Sequence, residues 1–380
     1  MIQNYRPAFL LLLLTLTVTG AHTARSQSES EREPLSSLWR RKLGGVVATV
    51  VSGLGERTLA VDAEGRLTCI GETGETIWER AIPGVDRVVT SRDGRFCAAY
   101  AARRPFQREV SLLDDRGRTV CTVENSEPVS TAVISPDGHL AAVAAGHTVT
   151  LCSRNGGEVR ERRIPLQGKI TQLQFGPGDS VYVAAQDPDY VALVKSTGKV
   201  LWRRSAAPGA GFAISASEDG RVLAIGSQRP DDLVALSLVS VGNERLWSAP
   251  RPGRSPRVRI AADGSAALLA YEHKVEHRSE SRFEQRLAYF GNSNNESWTK
   301  GGAFNAPLCI ALDRTGDWVV VLDLQRALDL PRFRLYGERG ERRWMYTCDA
   351  PVLIASGSSD GRNIAVYRAD GVLEMLHVAQ

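Results

Sequence analysis

The sequence has no Cys-Cys dipeptide and no C-x-x-C pair; its six cysteines stand apart at positions 69, 97, 121, 152, 309 and 348. Without paired spacing they are expected as small buried hydrophobes within strands, with one or two bridges open to an exported chain. No acidic cluster has the spacing of a calcium loop, and no metal site is expected. No segment holds a 3.6-residue apolar period for three turns, which excludes helical solenoids. A dominant charge is missing too: 47 Lys and Arg against 43 Asp and Glu leave a net +4. The arginines are spread through strands and turns rather than gathered in a tail, so a solvated β surface accounts for them and nucleic acid is not an expected partner.

Long hydrophobic runs are scarce, and the main one lies at the start. Arg6 precedes an apolar run from Ala8 to Val18 with consecutive leucines from Leu10 to Leu14. The run is short for a bilayer span, and Thr19-Gly20-Ala21 or His22-Thr23-Ala24 offers a small-residue cleavage site. Residues 1–24 are therefore expected to be a cleaved secretory signal, and the protein to be periplasmic or secreted. Membrane contact follows only if that segment is retained as an anchor. Lipid anchoring needs a cysteine just after the run, and the first is Cys69. Residues 25–37, polar, acidic and serine-rich, read as a disordered leader before a single domain over 38–380.

What the chain has in abundance is internal repetition. A D-G or G-D turn after a strand falls at Asp93-Gly94, Asp137-Gly138, Gly178-Asp179, Asp219-Gly220, Asp263-Gly264, Gly316-Asp317 and Asp360-Gly361. Gly55 holds that place in the first copy. Such dipeptides suit a tight hairpin whose residues accept φ > 0. A second marker is a glycine followed a few residues later by tryptophan or a substitute: Gly74 with Trp78, Gly117 with Cys121, Gly156 with Arg160, Gly198 with Trp202, Gly242 with Trp247 and Gly340 with Trp344. Trp298 follows Asn294-Asn295 instead. The period of about 43 residues lies in the range of propeller blades. Between markers, runs such as LAAVAA from Leu140 and WVVVLD from Trp318 suit sheets packed on both faces. Stacking four-stranded sheets radially buries every such face and leaves short edges.

The last copy, ending at Gln380, has three strands and lacks the tryptophan-bearing fourth. A matching strand, Leu38 to Leu43 with Trp39, stands before the first copy. The expectation is an all-β, eight-bladed propeller closed by an N-terminal strand. The alternative has seven blades, with the irregular region 256–302 as an insertion.

The segment Leu193 to Trp202, with Gly198 ahead of Trp202, resembles the PQQ-like (quinoprotein-like) repeat, and Ser135-Pro136-Asp137-Gly138 resembles the WD40-like repeats of bacterial exported propellers. The resemblance covers 38–380. It implies that Trp39, Trp78, Trp202, Trp247, Trp298 and Trp344 dock each blade on its neighbour. It also implies a scaffold role like that of PQQ-like proteins in outer-membrane assembly. The other branch of the resemblance, quinone-dependent dehydrogenases, implies a cofactor held by a vicinal cysteine pair above calcium; neither feature is present, so no cofactor and no catalytic residue are expected.

Two motifs mimic active sites. Gly357-Ser358-Ser359-Asp360-Gly361 fits G-x-S-x-G but sits at a hairpin turn rather than a strand-to-helix elbow. His273-Lys274-Val275-Glu276-His277 fits H-x-x-E-H but follows a strand and enters what reads as a charged loop. The basic runs Arg40-Arg41-Lys42 and Arg160 to Arg163 lie on fourth strands, where charge protects an exposed edge.

A partner site is expected on the face carrying the second-to-third and fourth-to-first strand connections. Its long connections, Ala102 to Glu109, Glu272 to Arg286 and Leu324 to Arg332, bring Arg103, Arg104 and Phe106; His273, His277, Arg282 and Phe283; and Arg326 and Arg332. Arginine and aromatics are favoured interface anchors. The three connections are expected on one arc of the ring. The reading is a non-catalytic exported scaffold that binds another protein or an envelope component; the alternative is a quinoprotein-like enzyme or small-ligand binder using the axial funnel. The first strands supply mostly small and apolar residues to that funnel, which favours the scaffold.

Overall fold

The computed structural model describes residues 35–103, 106, 108–155, 158–205, 211–229, 231–277, 280–291, 295–301, 308–323 and 330–379. The signal and most of the leader expected at the N-terminus lie outside them. The described residues form eight antiparallel sheets of four strands, here called blades, with strands a to d in spatial order. Blades 1 to 7 are sequential meanders over 46–81, 87–124, 129–165, 169–205, 212–252, 254–301 and 308–347. Blade 8 takes strands a to c from 352–378 and strand d from Leu35–Lys42. Region 254–301 is a complete blade, so the ring has eight blades and not seven.

The closing strand starts three residues earlier than the sequence suggests. Leu35 pairs with Val378 and is 2% exposed, because a register shift between Ser37 and Trp39 turns it away from the Trp39 cluster and into the one shared with blade 7. Closure is also ionic. Arg40 Nε lies 2.8 Å from the Glu374 carboxylate, Arg368 lies 3.1 Å from it, and Glu374 is buried.

Strands b and c are buried on both faces, as in blade 1, where Arg57–Asp62 and Arg66–Gly71 are almost wholly covered. Strand d at Thr76–Ala81 alternates exposed and half-buried residues, as an outer edge does. The core is a series of layers between blades: Leu59, Val61, Leu67 and Cys69 of blade 1 pack with Val88, Cys97, Ala99 and Leu113 of blade 2. Each such buried aliphatic side chain contributes about 1.5–3 kcal/mol.

The turn between strands a and b differs from a two-residue hairpin. In blade 5 the N–H of Gly220 donates to Ser217 O and only Gly220, at φ 68°, is left-handed; Asp219 is not. The aspartate instead holds the turn through its side chain, accepting from Ser217 Oγ at 2.7 Å and Arg221 N at 3.0 Å. Ser217 Oγ in turn accepts from Val222 N at 3.0 Å. The same Ser-x-Asp-Gly device recurs at Ser91, Ser135 and Ser358.

Between strands c and d, each indole meets the next blade. A Cβ on Gly74 would stand 2.8 Å from Trp39, one on Gly117 2.7 Å from Trp78, and one on Gly340 2.6 Å from Trp298. Trp202 Nε1 donates to Val241 O at 2.9 Å, and Trp247 lies 5.6 Å from the Phe290 ring. Blade 8 has no c–d turn, since the two ends of the fold meet there; Trp344 packs on the cluster containing Leu35 and Val378. Two residues after the repeat position stands an arginine that grips the next turn: Arg41 to Gly74 O, Arg80 to Gly117 O, Arg162 to Thr197 O and Arg204 to Asn243 O. The basic runs therefore latch blades together in addition to lining an edge.

Candidate functional site

On the face formed by b–c and d–a connections, blade 2 carries Phe106, 91% exposed, beside a pocket of about 360 Å³. Ile82, Pro83, Val85, Ala99 and Ala101 give the pocket an apolar lining. The connection is anchored at its root, where the Asp86 carboxylate accepts from Ala102 N at 2.9 Å and Arg103 N at 3.1 Å. Arg103 is exposed; Arg104 lies outside the described residues.

Blade 6 corrects the expectation of a charged loop. Its strands b and c, Ala267–His277 and Glu280–Phe290, run eleven residues each in continuous register from Ala267 with Phe290 to His277 with Glu280. Strand a pairs only as far as Glu272 and strand d only as far as Arg286. Residues 273–277 and 280–285 therefore continue as a two-stranded ribbon with no further partner strand among the described residues, reaching roughly 15 Å past the sheet. Its root is braced. Arg254 donates to Glu272 at 2.7 Å and lies 3.4 Å over the Phe283 ring, while Gln285 donates to the same carboxylate at 3.2 Å. His273 Nδ1 is 2.9 Å from Pro252 O. His277 and Arg282 are placed by register at the outer end of the ribbon, paired with Glu280 and Val275.

Arg326 lies outside the described residues. Arg332 opens a strand, Arg332–Gly337, rather than sitting in a loop, opposite Asp323. The three connections do not share one arc: in a ring of eight, blade 6 adjoins blade 7 but stands diametrically opposite blade 2. The blade 6 ribbon and the blade 2 pocket therefore lie on opposite sides of the ring.

The axial channel has a volume of about 430 Å³ and, unlike the apolar funnel expected, holds convergent charges. Glu218 of blade 5 lies 2.5 Å from Arg92 of blade 2 and 3.0 Å from Arg314 of blade 7. These groups belong to a–b turns, which backbone bonds tie into a collar: Leu54 N to Arg92 O, Arg92 N to Pro136 O, Glu218 N to Ala262 O and Asp263 N to Arg314 O. Nothing in any one repeat marks them, because each is an ordinary turn residue until the ring brings three turns together. Two guanidiniums share one carboxylate, so the triad keeps one net positive charge at the axis.

The two active-site mimics resolve as structure. Ser358 donates to Asp360 and accepts from Asn363 N, as its counterparts do in other turns. His273 and His277 lie along a strand, where four residues span about 13 Å, too far for one zinc ion. Cys69, Cys97, Cys121, Cys152 and Cys348 are free thiols. Burial pushes Cys69 up to about 11 and Cys152 and Cys348 to about 12, so none of these three is a thiolate nucleophile at neutral pH. Among the described residues no group of three or more His, Cys, Asp or Glu is placed to hold a metal.

Residues 107–274 match the family model described as outer membrane protein assembly factor BamB. The described residues form a β-propeller, and this stretch of it is similar to that family. No curated protein matches it. Similar solved structures include the Dos1 propeller, at 12% identity and TM-score 0.67, covering 92% of this chain and 97% of that one. The propeller domain of Myceliophteria thermophila Cps50 (Swd1) has 14% identity and TM-score 0.56 and covers 91% and 100%. Kuenenia stuttgartiensis hydrazine synthase has 13% identity and TM-score 0.55 and covers 78% and 96%. At such identities the three likenesses concern the propeller fold, not an activity.

Proposed function

We propose that this PQQ-like propeller is an exported, non-catalytic scaffold that binds a protein of the cell envelope through its b–c/d–a face. The observation that carries the reading is the blade 6 ribbon, which leaves its sheet with both edges unpaired among the described residues. Unpaired strand edges invite pairing with another chain, and a ribbon this long has no core of its own to bury. Charged residues along it, such as Lys274 and Glu284, oppose indiscriminate self-association while leaving the backbone edge open. The exposed Phe106 and its apolar pocket supply a second anchor on the same face. Outer-membrane assembly, the setting in the matched family's description, is consistent with a protein partner in the envelope.

The test uses purified mature protein with cross-linking in native envelopes. It compares wild type with a variant whose residues 273–285 are replaced by Asn-Gly, and with Phe106→Asp. A partner cross-linked by wild type and lost from the shortened ribbon, with the melting temperature unchanged, supports the reading. Equal cross-linking by the shortened protein, or quinone-dependent dye reduction by wild type, overturns it.

A further inference from the structure

At blade junctions that keep the tryptophan, the indole fills the space under the next blade. Between blades 2 and 3 that position is Cys121, which packs on the cluster of Leu112 and Cys152 and whose Sγ lies 3.7 Å from Glu161 Oε1. An outer cleft of about 530 Å³ lies between the c–d turn of blade 2 and blade 3, on the face opposite the ribbon. Beneath it is a small cavity of about 30 Å³ lined mainly by carbon, from Leu112, Val120, Ile134, Ala141 and Val159. Phe96, Val120, His139 and Arg154 line both, so the two are continuous. A space so lined offers a water molecule few partners and favours an apolar group.

The mouth of the cleft is charged. Arg118 is committed to Asp114 at 2.7 Å, and Arg95 lies 3.7 Å from Asp93. Arg154 differs: its guanidinium lies 3.7 Å over the Phe96 ring, and no carboxylate among the described residues is within ion-pair reach. It presents a cation on an aromatic platform at the edge of the vacated space. On the other lip, Asp115 turns its carbonyl to Arg57 at 3.1 Å and adds a negative charge that limits how much anion the cleft accepts.

We propose that this cleft binds a small planar aromatic monocarboxylate. The ring takes the place of the missing indole, against Val120 and the Phe96–Arg154 stack, and the carboxylate pairs with Arg154. A ring extends an existing cation–π stack, and a carboxylate gives the planar guanidinium a bidentate partner.

The probe is indole-3-acetate, titrated into the mature full chain by calorimetry, with tryptamine as the cation bearing the same ring. Saturable binding of indole-3-acetate is expected, with tryptamine weaker by about tenfold or more. Cys121→Trp should abolish binding and raise the melting temperature by about 2 °C or more, since the indole then fills the gap. Arg154→Gln, a substitution at the rim, should melt like wild type and weaken binding by about tenfold. Absence of saturable binding by the wild type overturns the proposal. So does binding that survives both Cys121→Trp and Arg154→Gln unchanged.

Discussion

At the scale of the residue, the repeat is held by aspartates that act through their side chains rather than through unusual backbone angles. Burial acts to raise the Asp137 carboxyl, but the Ser135 hydroxyl and the His139 N–H outweigh it and hold the group below its ordinary value. Asp219 follows the same balance, with Arg221 N–H and Ser217 as the favourable partners. A folded-state pKa below the unfolded value means stability that is present at neutral pH and lost as pH falls through the folded value. Asp137→Ala should therefore cost about 1 kcal/mol in urea unfolding at pH 7, with the deficit shrinking once pH drops below about 4. An undiminished deficit at pH 3 would show that the carboxylate's charge is not what matters. The Asp-Gly dipeptides were legible from the sequence as turn signals. That only the glycine is left-handed was not, because Ser217, two residues before Asp219, carries half of the device and does not belong to the dipeptide.

At the scale of the element, two readings changed for the same reason. The basic runs on outer strands look like edge protection when read along one strand, yet Arg41 and Arg162 reach across to carbonyls of the next blade. The stretch from Glu272 to Arg286 looks like a loop because it lacks apolar alternation. It lacks alternation because the ribbon has no sheet beside it and no core to face, so the period that normally marks a strand has nothing to record. Interblade docking gives a direct test. Trp78→Ala should lower stability by about 3 kcal/mol, since a large packed ring is lost and a cavity remains under Gly117. Arg80→Ala, which removes one bond to Gly117 O, should cost about 1 kcal/mol. Denaturant midpoints of the two variants should separate accordingly; equal losses would mean that the latch, not the indole, holds the junction.

At the scale of the whole molecule, the number of blades was legible because the C-terminal copy lacks a strand that the N-terminal segment supplies. The axial triad was not legible, because Arg92, Glu218 and Arg314 are united only by the closed ring. Closure is therefore the property on which both the channel and the presented face depend, and it concentrates in one sheet. Leu35–Lys42 is held by hydrogen bonds to the last strand, by Leu35 and Trp39 in two apolar layers, and by Arg40 on a buried carboxylate. Glu374→Ala removes the anion that Arg40 and Arg368 share, leaving Arg368, only 6% exposed, with the half-exposed Asp370 as its nearest acid at 2.6 Å. Loss of one partner of a buried pair costs about 3–5 kcal/mol, and the remaining acid reduces that toward the lower end. Deleting Leu35–Lys42 does more, since it exposes the edge of Val372–Val378 and two hydrophobic layers at once. The expected series in thermal melts and sedimentation is wild type, then Glu374→Ala as a less stable monomer, then the deletion as an aggregating protein. A deletion variant that stays monomeric and melts with wild type would mean that blade 8 is stable as three strands, and that the disc owes its rigidity to the interblade tryptophans alone.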